Sequence, residues 1–250
     1  MSMFFEYDIR LNGLDVDDRN QCKASALLNY LQIAATLAAE EGGFSRDVLV
    51  ERYGAFWMLA RSWYRLARPL RYEDRLTVRT WHRGAKSAIM YRDYDILANG
   101  QPVGESVSAW VLAGLESRKL VRLGDITELS RTDGGTLCKT MTLAKLRRPD
   151  ALREAERRKM RYSDTDVNGH VNNTRYADFA CDAVEMEDLA PDRFLAEMQI
   201  GYLAECLPGE TLLLQVGEQG DRRYVRGVDK EEKPRFEAAL FFGEILDKIP

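Results

Sequence analysis

Histidine is nearly missing from this chain: two occur in 250 residues, His82 and His170. Four cysteines, Cys22, Cys138, Cys181 and Cys206, lie far apart and form no C-x-x-C pair. That spacing excludes a disulfide scaffold and the common zinc frameworks, and it predicts free thiols in a reducing compartment. No run approaches the roughly 18 apolar residues that span a bilayer. The opening "MSMFFEYDIR" has no cationic segment followed by an apolar one, so no secretory leader is expected. There is no G-x-S-x-G, no glycine-rich phosphate loop after a strand and no metal-ligand spacing. A net charge of only −4 argues against general nucleic-acid binding. The expectation is a cytosolic protein without metal or other cofactor, and without a membrane or nucleic-acid partner.

What the chain does have is one unit written twice. "ALLNYLQIAATLAAEEGG" places Leu27, Tyr30, Leu31, Ala34, Ala35 and Ala38 at i, i+3, i+4, i+7, i+8 and i+11, the stripe of a half-buried helix. Ser25 reads as its cap, and Gly42 with Gly43 as its stop. A second helix follows "DVNGHVNN", with Tyr176, Phe179, Ala180, Ala183 and Val184 on one face and Asn172 or Asn173 as cap. Strand-like segments come after each helix. The first set is "FWMLARSWYRLARPL", "RLTVRTWHR", "AIMYRDYDILANG" and "GESVSAWVLAGLE"; the second is "AEMQIGYLAECLPG", "TLLLQVGEQG", "RRYVRGVDKEE" and "RFEAALFFGEI". Alternation and β-branched or aromatic content favour strands, and "ANGQP" and "DKEEKP" read as hairpin turns. Laid over each other on their helices, the halves match Asp18 with Asp166, Asn20 with Asn168, Cys22 with His170 and Arg68 with Glu205. The boundary falls near 130–155, where "LSRTDGGTLCKT" is loop-like and "KLRRPDALREAERRKMRY" reads as a charged connector. A helix wrapped by an antiparallel sheet, duplicated, predicts an α+β architecture.

The polar chemistry concentrates in "DTDVNGHVNNTRYADF", residues 164–179. Asp166, Asn168 and His170 alternate, so in an extended approach to the helix their side chains would project to one side. Amides at a helix start add partial positive charge there, which suits a developing oxyanion. His82, in "RTWHRG", has no carboxylate or asparagine beside it and reads as an exposed or structural residue.

These residues, with "YLAEC" some thirty-five positions later and "LLNYLQIAATLA", "YRDYDI", "SVSAWVL" and "ESRKLVRL" in the first half, carry a resemblance. The chain resembles the acyl-acyl-carrier-protein thioesterase family of bacteria and plants over nearly its whole length, from about residue 4 to residue 244. The resemblance implies a tandem double hot-dog fold, each copy an antiparallel sheet around a long central helix. Residues 1–130 would form an N-terminal, non-catalytic domain holding the acyl chain; 131–155 a linker; and 156–250 the catalytic domain. The implied activity is hydrolysis of fatty acyl-carrier-protein thioesters to free fatty acid and carrier. The implied partner is an acyl carrier protein bearing a phosphopantetheine-linked fatty acyl chain, with the enzyme a monomer or homodimer.

The resemblance implies Asp166, Asn168, His170 and Glu205 as the catalytic set. Glu205 would activate water or attack the carbonyl itself; Asn168 and His170 would position the attacking group and polarise the carbonyl; Asp166 would hold Asn168. Cys206 competes as nucleophile in a Cys206–His170–Asn168 arrangement. Adjacent strand residues face opposite sides, so only one of Glu205 and Cys206 can face the site, and Glu205 is favoured. Pocket candidates are Leu27, Leu31, Trp57, Leu59, Met90 and Trp110. Cations at 145–148 and 156–161, with Arg65, Arg68 and Arg71, are candidates for docking an acidic carrier. Other readings are an acyl-CoA thioesterase, a hot-dog hydratase, whose D-x-N-x-x-x-H-like spacing "DVNGH" does not match, and a non-catalytic acyl-binding protein.

Overall fold

The computed structural model of the chain describes residues 4–86, 88–117, 119–121 and 143–246. The first half runs β1 (Phe5–Arg10), α1 (Ala24–Glu41), α2 (Arg46–Tyr53), β2 (Ala55–Leu66), β3 (Arg75–Lys86), β4 (Ile89–Ala98), β5 (Gln101–Gly114) and β6 (Leu120–Val121). The second runs β7 (Arg153–Lys159), α3 (Arg175–Ala183), β8 (Arg193–Tyr202), β9 (Thr211–Gln219), β10 (Arg222–Val228) and β11 (Pro234–Glu244). Strands follow the order β1-β3-β4-β5-β2 in the first half and β7-β9-β10-β11-β8 in the second, with β6 paired to β5. The two orders are the same order, so the repetition read from the sequence is a repetition of topology.

Local chemistry explains the elements. Helix α1 buries Leu27, Leu31, Ala34 and Ala35 of the expected stripe, leaves Tyr30 and Ala38 half-buried and buries Leu28 as well; the chain leaves it through Gly43 at φ 80°. Ser25 lies inside the first turn and is not the cap; its hydroxyl bonds the Asp178 carboxylate. The β4–β5 hairpin turns at Asn99 (φ 53°) and Gly100 (φ 78°), the left-handed pair that a two-residue turn requires. Helix α3 is nine residues long, shorter than expected, because the chain turns left-handed at Glu185 (φ 59°). It packs on β9, β10 and β11 with Tyr176, Ala177, Phe179, Ala180 and Ala183 buried. Tyr176 meets Phe236 at 5.0 Å and Tyr202 at 5.9 Å between ring centroids. Each such buried aromatic contributes on the order of 1.5–3 kcal/mol of burial free energy. Gly227 is required beneath this cluster, since a Cβ there would lie 2.4 Å from the Phe236 ring.

The charged connector is not a helix: residues 143–152 are irregular, and Arg153–Lys159 is the exposed edge strand β7 paired with β9. Its run of charges reads as a linker, yet charge is also what blunts an edge strand. Residues 131–142 of the expected linker, with Cys138, lie outside the described residues.

The chain forms two compact units that are not contiguous in sequence. One comprises the described residues of Met1–Leu11, Asn29–Tyr64 and Glu73–Leu143; the other comprises those of Asn12–Leu28, Arg65–Tyr72 and Ala144–Pro250. Two segments of the first half, 12–28 and 65–72, therefore belong with the unit that carries His170 and Glu205.

Candidate active site

The segment before α3 is a closed loop, not an extended approach. Thr165 and Val171 form an isolated antiparallel bridge. Within it the Asp166 N–H donates to the His170 carbonyl (2.9 Å) and the Gly169 N–H to the Asp166 carbonyl (3.0 Å). Gly169 supplies φ 78°, which the turn needs and which a side chain would strain. The alternation of Asp166, Asn168 and His170 thus carries no facing argument. Their proximity comes from the turn.

Asp166 contacts Asn168. Its Oδ1 accepts the Asn168 backbone N–H at 2.8 Å, and its Oδ2 lies 3.5 Å from Asn168 Nδ2. The loop is fastened at its base by Asp164, which sequence reading passed over. Its buried carboxylate accepts the Arg161 N–H (2.8 Å) and the Arg175 guanidinium (3.2 and 3.3 Å). The Asp164 carbonyl accepts the Asn172 N–H at 2.8 Å. Asn172 in turn takes the Thr174 N–H and hydroxyl on its Oδ1 (2.9 and 2.8 Å), so it shapes the turn ahead of the helix and does not cap it.

Glu205 sits three residues past the end of β8, on an irregular loop and not on a strand. Its Oε2 lies 3.3 Å from His170 Nε2, with the side chains 43% and 25% exposed respectively. A carboxylate and an imidazole at that separation can exchange a proton, and both remain open to a substrate. The two loops are stapled together where the Val171 N–H donates to the Cys206 carbonyl at 2.9 Å. The structure therefore joins Asp166 to Asn168 and His170 to Glu205, and it links the pairs through the loop backbone.

Cys206 is placed against a nucleophilic role. Its side chain is buried and receives the Tyr176 hydroxyl, and burial pushes the thiol pKa up. A thiolate is the attacking form, and this environment disfavours it. The strand-parity argument does not apply on a loop; the two neighbours differ in exposure, with Glu205 exposed and Cys206 buried.

The first half builds the same loop. Val16 and Cys22 form the bridge. Asp17 N–H donates to the Gln21 carbonyl (2.8 Å), Asn20 N–H to the Asp17 carbonyl (3.1 Å) and Cys22 N–H to the Leu70 carbonyl (2.8 Å). Arg19 N–H donates to Asp17 Oδ1 at 3.0 Å, as Asn168 does to Asp166. The structural counterparts are therefore Asp17 for Asp166, Arg19 for Asn168, Asn20 for Gly169, Gln21 for His170 and Pro69 for Glu205, a register one residue away from the one read on the helices. Asn20 (φ 58°) and Gly169 (φ 78°), the left-handed turn positions, were the signal that fixes the register. In the first copy Arg19 donates to the Leu189 and Met186 carbonyls (2.8 and 2.6 Å), and Gln21 to the Arg193 carbonyl (3.1 Å). Its polar side chains hold the fold.

Of the acyl-pocket candidates, Met90 is buried with Leu49, Ala55 and Leu112, and Trp57 and Trp110 pack against that cluster. Leu27 and Leu31 are buried on α1, Leu59 is half-buried on β2, and His82 is buried on β3. Among the described residues, no helix is long and apolar enough to cross a membrane.

A duplicated sheet-and-helix unit whose second copy carries a histidine–carboxylate pair where the first has Gln21 and Pro69 defines an asymmetric tandem hot-dog protein. Models of the acyl-ACP thioesterase family match it twice, the N-terminal domain over residues 3–128 and the C-terminal domain over 148–235. The chain belongs to the acyl-ACP thioesterase family. It is similar to the chloroplastic acyl-[acyl-carrier-protein] hydrolase of Cuphea viscosissima, 23% identical over 82% of this chain and 52% of that one. It is likewise similar to the chloroplastic oleoyl-acyl carrier protein thioesterase 2 of Arabidopsis thaliana, 22% identical over 72% of this chain and 53% of that one. The chain thus spans about half the length of the curated relatives it matches. Its fold matches the crystal structure of an acyl-ACP thioesterase from Bacteroides thetaiotaomicron, with TM-score 0.88 and 22% identity over 97% of this chain and 100% of that one. The 12:0-ACP thioesterase of Umbellularia californica matches with TM-score 0.79 and 18% identity over 98% of each chain.

Proposed function

We propose that this protein hydrolyses the thioester of fatty acyl-acyl-carrier protein, releasing free fatty acid and carrier for fatty acid biosynthesis. The observation that carries the reading is the His170–Glu205 contact of 3.3 Å, present in one copy of the repeat and replaced by Gln21 and Pro69 in the other. In this mechanism Glu205 takes a proton from water as the water adds to the carbonyl, or attacks the carbonyl carbon to give a mixed anhydride that water then hydrolyses to free acid and the restored carboxylate. His170 orients the attacking group and protonates the departing pantetheine thiolate. Asn168, held by Asp166, donates to the carbonyl oxygen as negative charge builds on it. The first-half cluster around Met90, Trp57 and Trp110 supports a role in receiving the acyl chain. Among the described residues, the unpaired thiols of Cys181 and Cys206 support a reducing, cytosolic setting.

The test is thiol release from a C8 to C18 panel of acyl-carrier-protein thioesters with matched acyl-CoA controls. Fast release from the carrier and slow release from CoA is the expected result. Release from CoA alone would move the protein to acyl-CoA hydrolysis, and acyl binding without release to a carrier role. Because its thiol is buried and unactivated, Cys206→Ala is expected to keep kcat within about threefold, the scale of a small packing change; loss of all turnover would make Cys206 the nucleophile.

Carrier docking is assigned to the exposed cations of β7 and the segment before it. The two cations of "RR" in β7 differ: Arg158 bonds Asp182 and lies 4.6 Å over the Phe179 ring, while Arg157 is exposed. Arg157→Glu is therefore the informative reversal. It is expected to raise KM for carrier substrates by about tenfold, the size of one or two rim charges, and to leave small thioesters unaffected. Equal effects on both substrate types would remove β7 from the docking surface.

A further inference from the structure

The carboxylate of the reacting pair rides on a loop with no strand ladder to hold it, so something else must fix its reach to His170. The residue that does so is on β11. The Arg235 carbonyl accepts both the Leu203 N–H (2.9 Å) and the Ala204 N–H (3.1 Å). Its Nη1 donates to the carbonyl of Glu205 itself at 2.7 Å. Main chain and side chain of one residue thus bracket the three residues that lead to the carboxylate.

The guanidinium is itself held. Asp229 Oδ2 takes Arg235 Nε at 3.1 Å and Nη2 at 3.0 Å. Asp229 Oδ1 accepts the backbone N–H groups of Glu231 (2.8 Å) and Lys233 (3.0 Å) in the β10–β11 turn. Glu210 Oε1 stands 3.7 Å from Nη2, and Glu210 Oε2 accepts the Leu207 N–H at 2.8 Å, on the far side of Glu205. Desolvation works to raise the Asp229 pKa, but the two amides and the guanidinium outweigh it and leave it below the usual carboxylate range. The anchor is therefore ionised at neutral pH.

We propose that Arg235 is the positioning residue of the reacting pair, fixing the loop of Glu205 so that the carboxylate meets His170. The inference rests on the hydrolase reading above. Arg235 touches the backbone of Glu205 and not its carboxylate, so its loss should change how often the pair is aligned and not how substrate binds. A misplacement of about 1 Å can cost on the order of 10²-fold in rate.

The experiment compares wild type, Arg235→Met, Arg235→Lys and Asp229→Asn by steady-state thiol release, with hydrogen exchange of the peptide spanning 202–210. Arg235→Met is expected to lower kcat by about 30- to 100-fold with KM within about threefold, the signature of lost alignment. Arg235→Lys is expected to regain part of that loss, since an ammonium can donate to the Glu205 carbonyl but cannot span Asp229 as well. Asp229→Asn keeps the cation and loosens its seat, so an intermediate kcat and faster exchange at 202–210 are expected even if Arg235→Met fails to fold. Unchanged kcat and exchange in Asp229→Asn, or a kcat within about twofold of wild type in Arg235→Met, would overturn the assignment. A wild type that releases no thiol sinks the hydrolase reading instead, and with it any catalytic consequence of Arg235.

Discussion

Glu205→Gln is expected to lower kcat for acyl-carrier thioesters by about 10²- to 10⁴-fold, the span attributed to a positioned proton acceptor, and to leave KM within a few-fold. Glutamine keeps the length of the side chain and can still hydrogen-bond an imidazole 3.3 Å away. It can neither accept a proton from water nor attack a carbonyl. The side chain is 43% exposed and its backbone anchors do not involve the carboxylate, so the fold has no reason to respond. Thermal unfolding measured alongside turnover separates the two effects: an unchanged melting temperature with near-abolished thiol release assigns the loss to chemistry. A rate within tenfold of wild type would remove Glu205 from the reacting group and return attention to the water and His170 alone.

The parts of this molecule that declare themselves in sequence are those with a period or a fixed turn chemistry. The α1 stripe is legible because Leu27, Leu31, Ala34 and Ala35 recur at helical spacing and are buried, and the β4–β5 hairpin because Asn99–Gly100 has few other uses. The duplicated topology follows once those elements are ordered. The site is legible as a group, since Asp166, Asn168, His170 and Glu205 are unusual in company. Its geometry is not. A turn closed by Thr165 and Val171 brings residues together through hydrogen bonds of the main chain, which side-chain alternation does not report. The overlay missed by one residue because it was set on helix residues, whereas the loops are registered by their left-handed turn positions, Asn20 and Gly169. β7 was hidden because "REAERRK" has the composition of a solvated linker, and only its pairing with β9 makes it a strand. Asp164 and Arg235 were hidden more deeply. Each acts through backbone carbonyls and amides of distant residues, and such partners leave no pattern in the sequence around them.

His170→Ala is expected to cost about as much as Glu205→Gln, roughly 10²- to 10⁴-fold in kcat, because in the proposed mechanism the imidazole orients the attack and protonates the departing thiolate. The double variant decides whether the two act as one device. Were they independent, the losses would multiply and turnover would fall to the uncatalysed level. With the carboxylate and imidazole 3.3 Å apart and joined through the Val171–Cys206 staple, each variant disables the same step, so the double should be little worse than the poorer single. Residual turnover in all three would come from Asn168 and the acyl-chain contacts, which none of the substitutions touches. Adding Asn168→Ala to the double variant should then lower the residual rate further, by about 10-fold or more, on the scale of a lost oxyanion donor. Multiplicative losses in the double variant would instead mean that neither residue depends on the other for its task. That outcome would keep both residues in the site and break the pair as a unit.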